Sequence, residues 1–184
     1  MVLGLWILIG VLAALALIAV GYYNRFTILG NRIDNSLAQI DVQLRKRADL
    51  VPNLVKTVKG YAKHESKIMK NVTEARKALL GATDIVSKMK AGNKLESALK
   101  SIFAIAENYP QLKANTNFLQ LQQELAAIED KVAYARQYYN DSILSYNNSV
   151  KLLPGAFFAR IYGKSEKEYL KIPAAMRAVP KIDF

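Results

Sequence analysis

The run Lys63-His64-Glu65 is where general acid–base chemistry would first be sought, because it sets an imidazole beside a carboxylate. Neighbouring residues on a helix point in different directions, so His64 and Glu65 would not face a common substrate. A solvated histidine is the simpler reading. Glu124, Glu129 and Asp130 offer carboxylates for a metal, but no Glu-x-x-His accompanies them, and the di-iron bundle pattern fails. His64 is the single histidine and there is no cysteine, which excludes disulfides, thiol nucleophiles and the usual zinc ligand sets. No phosphate-cradling glycine loop, dinucleotide fingerprint or nucleophile elbow is present. The residues therefore predict no catalytic residue, no cofactor, no metal and no small-molecule substrate.

Two other groupings carry interaction chemistry. Net charge is +11, and from Arg25 to Lys100 there are 16 Lys/Arg against 7 Asp/Glu, an excess of 9. Arg25, Arg32, Arg45, Lys46 and Arg47 are the expected contacts to an anionic surface, with membrane lipid as the partner. A solvated, lysine-rich helix face is the simpler reading of the same excess. No readable motif clusters these charges, so nucleic acid is not an expected partner. The second grouping is YARQYYNDSILSYNN, residues 134–148. Tyr134, Tyr138, Tyr139 and Tyr146 recur there at helical steps, either to fix bundle register by hydrogen bonds or to form a tyrosine-rich contact surface.

The elements that must position these groups are helices. Val2–Tyr23 holds 22 residues without a charge, about 33 Å as a helix and enough to cross a bilayer core. Trp6, Tyr22 and Tyr23 stand where an aromatic belt would fall. Gly10 and Ala14 make a small-xxx-small face suited to close helix approach. No positively charged segment precedes the apolar run, so residues 1–24 are expected to be a retained anchor and not a cleaved signal. Basic residues follow the span, which predicts an outer N-terminus and a cytoplasmic body in a single-pass inner-membrane protein.

Beyond the anchor, Phe26, Leu29, Ile33, Leu37, Ile40, Leu44, Val51, Leu54, Val58 and Tyr61 mark one apolar stripe, with steps of three and four. A long helix is expected over 25–80. Pro52 interrupts it on paper, and Asp49, three residues earlier, could cap a second helix starting beyond a kink. A second helix is expected over 93–108, with Asn93 and Glu96 as a capping box. A third is expected over 116–153, striped by Leu125, Ile128, Val132, Tyr139 and Tyr146. Residues 154–184 hold a short apolar-aromatic segment, GAFFARIYG, and a tail. The segment is expected to pack on the bundle, with the membrane interface as the alternative. The fold class is all-α: an N-terminal transmembrane helix and an elongated antiparallel bundle of three to four long helices.

The stretch NRIDNSLAQIDVQLRKRADLVPNLVKTVKGYAKHE, followed by VTEAR, AENYPQLKANTNFLQLQQEL, IEDKVAYARQYYNDSILSYN, LPG and the ending VPKIDF, closely resembles the LemA family of prokaryotic membrane proteins. The resemblance covers essentially the whole chain. Ser36-Leu37 stands where alanine and tryptophan are expected, and Leu153 where an aromatic is usual. The resemblance implies a single-span anchor, a cytoplasmic helical bundle and no carried-over catalytic residues, and it makes Pro52 part of the family pattern.

Together these features predict a non-enzymatic, membrane-anchored scaffold that forms a homo-oligomer through coiled-coil-like stripes. Leu125, Ile128, Val132, Tyr134, Tyr138, Tyr139 and Tyr146 are its expected self-association residues. The alternative is a monomeric membrane adaptor whose basic half binds anionic lipid or an acidic, unidentified protein partner.

Overall fold

A computed structural model of the chain describes residues 2–170. Met1 and residues 171–184, with the VPKIDF ending and the tail prolines, lie outside the described residues. The helices are α1 (Val2–Tyr61), α2 (Ser66–Gly81), α3 (Ile85–Ala106), α4 (Pro110–Lys113), α5 (Thr116–Lys151) and α6 (Gly155–Ile161). Among the described residues there is no strand, as the three-and-four periodicity requires. α1 and α5 each run through two compact units. One holds residues up to 35 and from 138 onward; the other holds residues 36–137.

In the 36–137 unit, α1, α2, α3 and the first part of α5 enclose one core. Ile40, Leu44, Val51, Leu54 and Val58 from α1 are buried with Val72, Leu95, Leu99, Ile102, Phe118, Leu125, Ile128 and Val132. The stripes read from the sequence are thus mostly the faces these helices turn inward, although Leu37 is only half-buried and Tyr61 is exposed. Phe103 of α3 meets Phe118 of α5 edge-on, with centroids 5.8 Å apart. Gly92 of α3 lies so close to α1 that a Cβ there would sit 2.8 Å from Leu44 Cδ2.

Three boundaries differ from expectation. α1 continues unbroken through Asp49 and Pro52, so Asp49 is a helix-interior residue and not the cap of a second helix. The chain stops instead at Ala62–Glu65, where no glycine or proline marks the turn. The apolar rhythm keeps its phase across that turn, with Val58, Ala62, Met69 and Val72 all buried, which is why the pattern gave no sign of it. α3 begins at Ile85, eight residues before the expected Asn93. Asp84 is its N-cap, accepting a hydrogen bond from the Ser87 backbone N–H at 2.9 Å, which satisfies an orphan donor of the first turn. Asn93 is in mid-helix, where its side-chain oxygen accepts from Arg136 Nη2 at 2.9 Å.

Pro52 has a visible structural consequence. It has no N–H to offer the carbonyl of Ala48, one turn back. Ala48 is fully buried, and its carbonyl accepts a 2.8 Å hydrogen bond from Arg76 Nε of α2. The missing intrahelical bond becomes a tie between two helices.

In the other unit, the early part of α1 meets the end of α5 and α6. α6 follows the Leu153-Pro154 turn and packs its Phe158 and Ala159 inward beside Phe26. Gly155 is required by close approach: any Cβ there would overlap the Ser149 carbonyl and come within 3.2 Å of the Tyr22 ring. The expectation that residues 155–163 pack on neighbouring helices holds for one face of that segment.

Candidate functional site

The unit containing the apolar stretch is organised around an aromatic collar. Tyr22 stacks on Phe158 with centroids 5.0 Å apart and 13° between planes. Phe26 meets Tyr146 edge-on at 6.4 Å. Tyr23 meets Tyr162 edge-on at 5.5 Å, and Tyr162 donates its hydroxyl to the Ala19 carbonyl at 2.8 Å. Offset and edge-on arrangements of this kind are the favoured geometries for aromatic pairs. Arg25 Nε donates to Ser149 Oγ at 3.0 Å, fixing α1 to α5 one turn beyond the collar. Asn140 and Asn147 of α5 each clasp the extended segment after α6. Asn147 bonds both the carbonyl and the N–H of Lys167 at 2.9 Å, and Asn140 does the same to Leu170 at 3.3 and 3.0 Å. The asparagines of the tyrosine-rich stretch therefore satisfy otherwise exposed backbone.

The apolar stretch itself makes the opposite use of its residues. It is long and apolar enough to cross a membrane, and none of its most apolar window is buried in the structure. Trp6 is 66 % exposed, and beyond the local helix backbone nothing lies within 4 Å of where a Cβ would stand on Gly10. Ala14 is likewise exposed.

The 36–137 unit holds a buried charge cluster that the sequence did not disclose. Arg47, expected at an anionic surface with Arg45 and Lys46, is 1 % exposed. Its Nη2 donates to Glu129 Oε2 at 3.0 Å, and its Nη1 lies 3.9 Å from Glu96 Oε2. Glu96 in turn receives Lys100 Nζ at 2.6 Å. Arg47 falls in phase with the inward stripe, between Leu44 and Val51, and that phase was the available signal. Arg45 and Lys46 remain exposed, as do Arg25 and Arg32.

The two carboxylates respond oppositely to this setting. For Glu96, burial works to raise the pKa. The hydrogen bonds with Lys100 and Glu129, aided by the Lys100 and Arg47 charges, outweigh it and hold Glu96 below the ordinary glutamate range. For Glu129, burial, the hydrogen bond with Glu96 and the Glu96 charge act together against Arg47, and its pKa is raised. Burial, with repulsion from Arg47, lowers Arg136. Arg47, Glu96, Lys100, Phe103 and Glu129 line a half-open cleft of about 280 Å³. Within it Lys100 pairs with Glu96 and Arg47 with Glu129.

The residues first considered for catalysis are dispersed. His64 is exposed in the α1–α2 turn, while Glu65 accepts from the Tyr109 hydroxyl at 3.3 Å. Glu124 accepts from Gln120 at 2.9 Å, Glu129 faces Arg47, and Asp130 is exposed. Among the described residues no three acidic or histidine side chains come together to hold a metal. The expected self-association residues are mostly consumed by the chain's own fold. Leu125, Ile128, Val132, Tyr139 and Tyr146 are buried, and burial is the first cause raising the pKa of Tyr139 and Tyr146. Tyr138 is half-buried, and Tyr134 is 70 % exposed.

These features define an all-helical protein with one membrane-length apolar helix that runs on into a helical bundle. The family model described as "LemA family" matches residues 36–184, and the chain belongs to the LemA family. It is similar to magnetosome protein MamQ of Magnetospirillum gryphiswaldense, at 26 % identity over 173 residues, covering 80 % of this chain and 64 % of that one. MamQ 2 of Paramagnetospirillum magneticum is 24 % identical over 191 residues, with 89 % and 70 % covered. Protein LemA of Metamycoplasma hominis is 24 % identical over 132 residues, with 71 % and 60 % covered. The chain thus spans somewhat under two thirds of the M. gryphiswaldense relative's length.

Proposed function

We propose that the chain is a non-enzymatic scaffold, anchored in a cytoplasmic membrane by the first part of α1, whose copies associate through that membrane helix. The observation behind this is a contrast in burial. The stripe of α5 is covered by the chain's own helices, whereas the apolar window of α1 is left wholly uncovered. Gly10 and Ala14 give that helix a face where a second backbone can approach closely. Exposed Arg25 and Arg32 follow the span directly, which supports an outer N-terminus and a cytoplasmic body.

The test is the mass of the full chain in mild detergent by light scattering, beside a Gly10→Ile/Ala14→Ile variant. A discrete multimer that falls to monomer in the variant is expected. A monomeric parent chain would overturn the self-association and favour a second reading, the adaptor. That reading has its own observation: Lys56, Lys59, Lys63, Lys67 and Lys77 are all exposed in the 36–137 unit and available to an acidic client protein.

A further inference from the structure

α6 buries one face and leaves the other bare. Phe158 and Ala159 are turned in, whereas Leu153 is 83 % exposed, Phe157 61 % and Ile161 60 %. Phe157 and Ile161 stand four positions apart and so share one side of α6, while Leu153 lies in the turn just before the helix. Arg160 is exposed within the helix, three positions from Phe157, and Lys164 is exposed just beyond its end. Large apolar side chains alternating with long cationic ones form the pattern of a helix lying in a membrane interface, where the stems stay with the lipid and the charges reach the headgroups.

A helix of this length would hold a bilayer poorly by itself. Here its position is fixed by the apolar part of α1. The Tyr162 hydroxyl is bonded to the Ala19 carbonyl, and the Phe158 ring is stacked on Tyr22. Ala19 lies four residues before Tyr23, the end of the uncharged stretch, or about 6 Å along the helix axis. The atoms that hold α6 therefore lie at the level where the hydrocarbon gives way to headgroups.

From this we infer that α6 is an interfacial foot. Phe157 and Ile161, with Leu153 of the preceding turn, are seated in the leaflet that α1 leaves, with Arg160 and Lys164 at anionic headgroups, and the foot fixes the tilt of α1 where it emerges. The inference rests on the membrane-anchor reading but not on self-association.

Trp6 is the single tryptophan, so quenching by brominated lipid separates the two ideas. The full chain is reconstituted in phosphatidylcholine–phosphatidylglycerol vesicles brominated near the headgroup end of the acyl chains. Native Trp6 reports the anchor, and a Trp6→Phe/Phe157→Trp variant reports the foot, with Trp6→Phe/Leu153→Trp as a second probe should the first misfold. The expected result is quenching of Trp6 and of both introduced tryptophans, each with a blue-shifted maximum. Quenched Trp6 with unquenched, red-shifted emission from positions 157 and 153 would overturn the foot and leave the anchor standing. Blue-shifted but unquenched emission from those positions would put a second copy on this face and also overturn it. Unquenched Trp6 would overturn the anchor, and the foot with it.

Discussion

At the scale of single residues, two close environments make opposed predictions for superficially similar changes. Gly155 has no room for a Cβ because a backbone carbonyl occupies the space, so Gly155→Ala is expected to cost about 2 kcal/mol through forced displacement. Gly30 lies in mid-helix with open space around it, and Gly30→Ala is expected to stabilise by about 0.5–1 kcal/mol by restricting the unfolded chain. Thermal unfolding of both variants checks the pair. The glutamates beside Arg47 likewise separate. Glu96→Gln removes the charge that holds Lys100 at 2.6 Å and faces the buried guanidinium at 3.9 Å, and it is expected to cost about 2 kcal/mol at neutral pH. Glu129→Gln keeps an oxygen for Arg47 Nη2 and is expected to stay within about 1 kcal/mol.

The pH dependence of the two glutamates differs in sign. The lowered Glu96 pKa contributes stability that is present above its unfolded value and is lost as pH falls through the folded value. The raised Glu129 pKa favours the fold below its unfolded value, and that contribution is lost as pH rises through the folded one. Denaturant midpoints should therefore fall more gently below about pH 4 in Glu96→Gln than in the parent chain. An unchanged acid limb would remove Glu96 from the account of acid stability.

At the scale of elements, Pro52 carries the most information. An exposed proline inside a helix ordinarily costs about 3 kcal/mol, so Pro52→Ala alone should stabilise α1. The gain is expected to be partial, because the Ala48 carbonyl is already satisfied by Arg76. A double-mutant cycle isolates this coupling. Arg76→Ala in the parent chain orphans a buried carbonyl and should cost about 1–2 kcal/mol, whereas in the Pro52→Ala background the restored N–H takes that carbonyl and the cost should shrink. Equal costs in both backgrounds would show that Arg76 does not compensate for the proline. The sequence made Pro52 conspicuous and placed α5 within two residues of its observed end. It missed the α1–α2 turn because the apolar phase runs through Ala62, and it missed the start of α3 because the Asn93–Glu96 spacing imitates a capping box. Both residues are instead engaged laterally, by Arg136 and by Lys100 with Arg47.

At the scale of the whole molecule, the question is whether the long stripes meet between copies or within one. Burial of Leu125 and Tyr139 in the chain's own units makes them folding residues. Leu125→Asp, which places a charge in an apolar core, is expected to abolish cooperative unfolding at every protein concentration. Loss of a concentration-dependent assembly, with the helical fold intact by circular dichroism, would instead return the stripe to an intermolecular role.

The amino-acid sequence by itself determined the all-helical class, the membrane-length apolar helix and the inward faces, because each depends only on local periodicity and composition. It also carried the family, through a long ordered series of motifs. The tertiary structure decided which charges are internal, which partner each stripe meets, what receives the Ala48 carbonyl and which face of α6 stays bare. These follow from contacts between residues far apart in the chain. A helical period says which residues share a face, but the packing of several helices decides what that face meets.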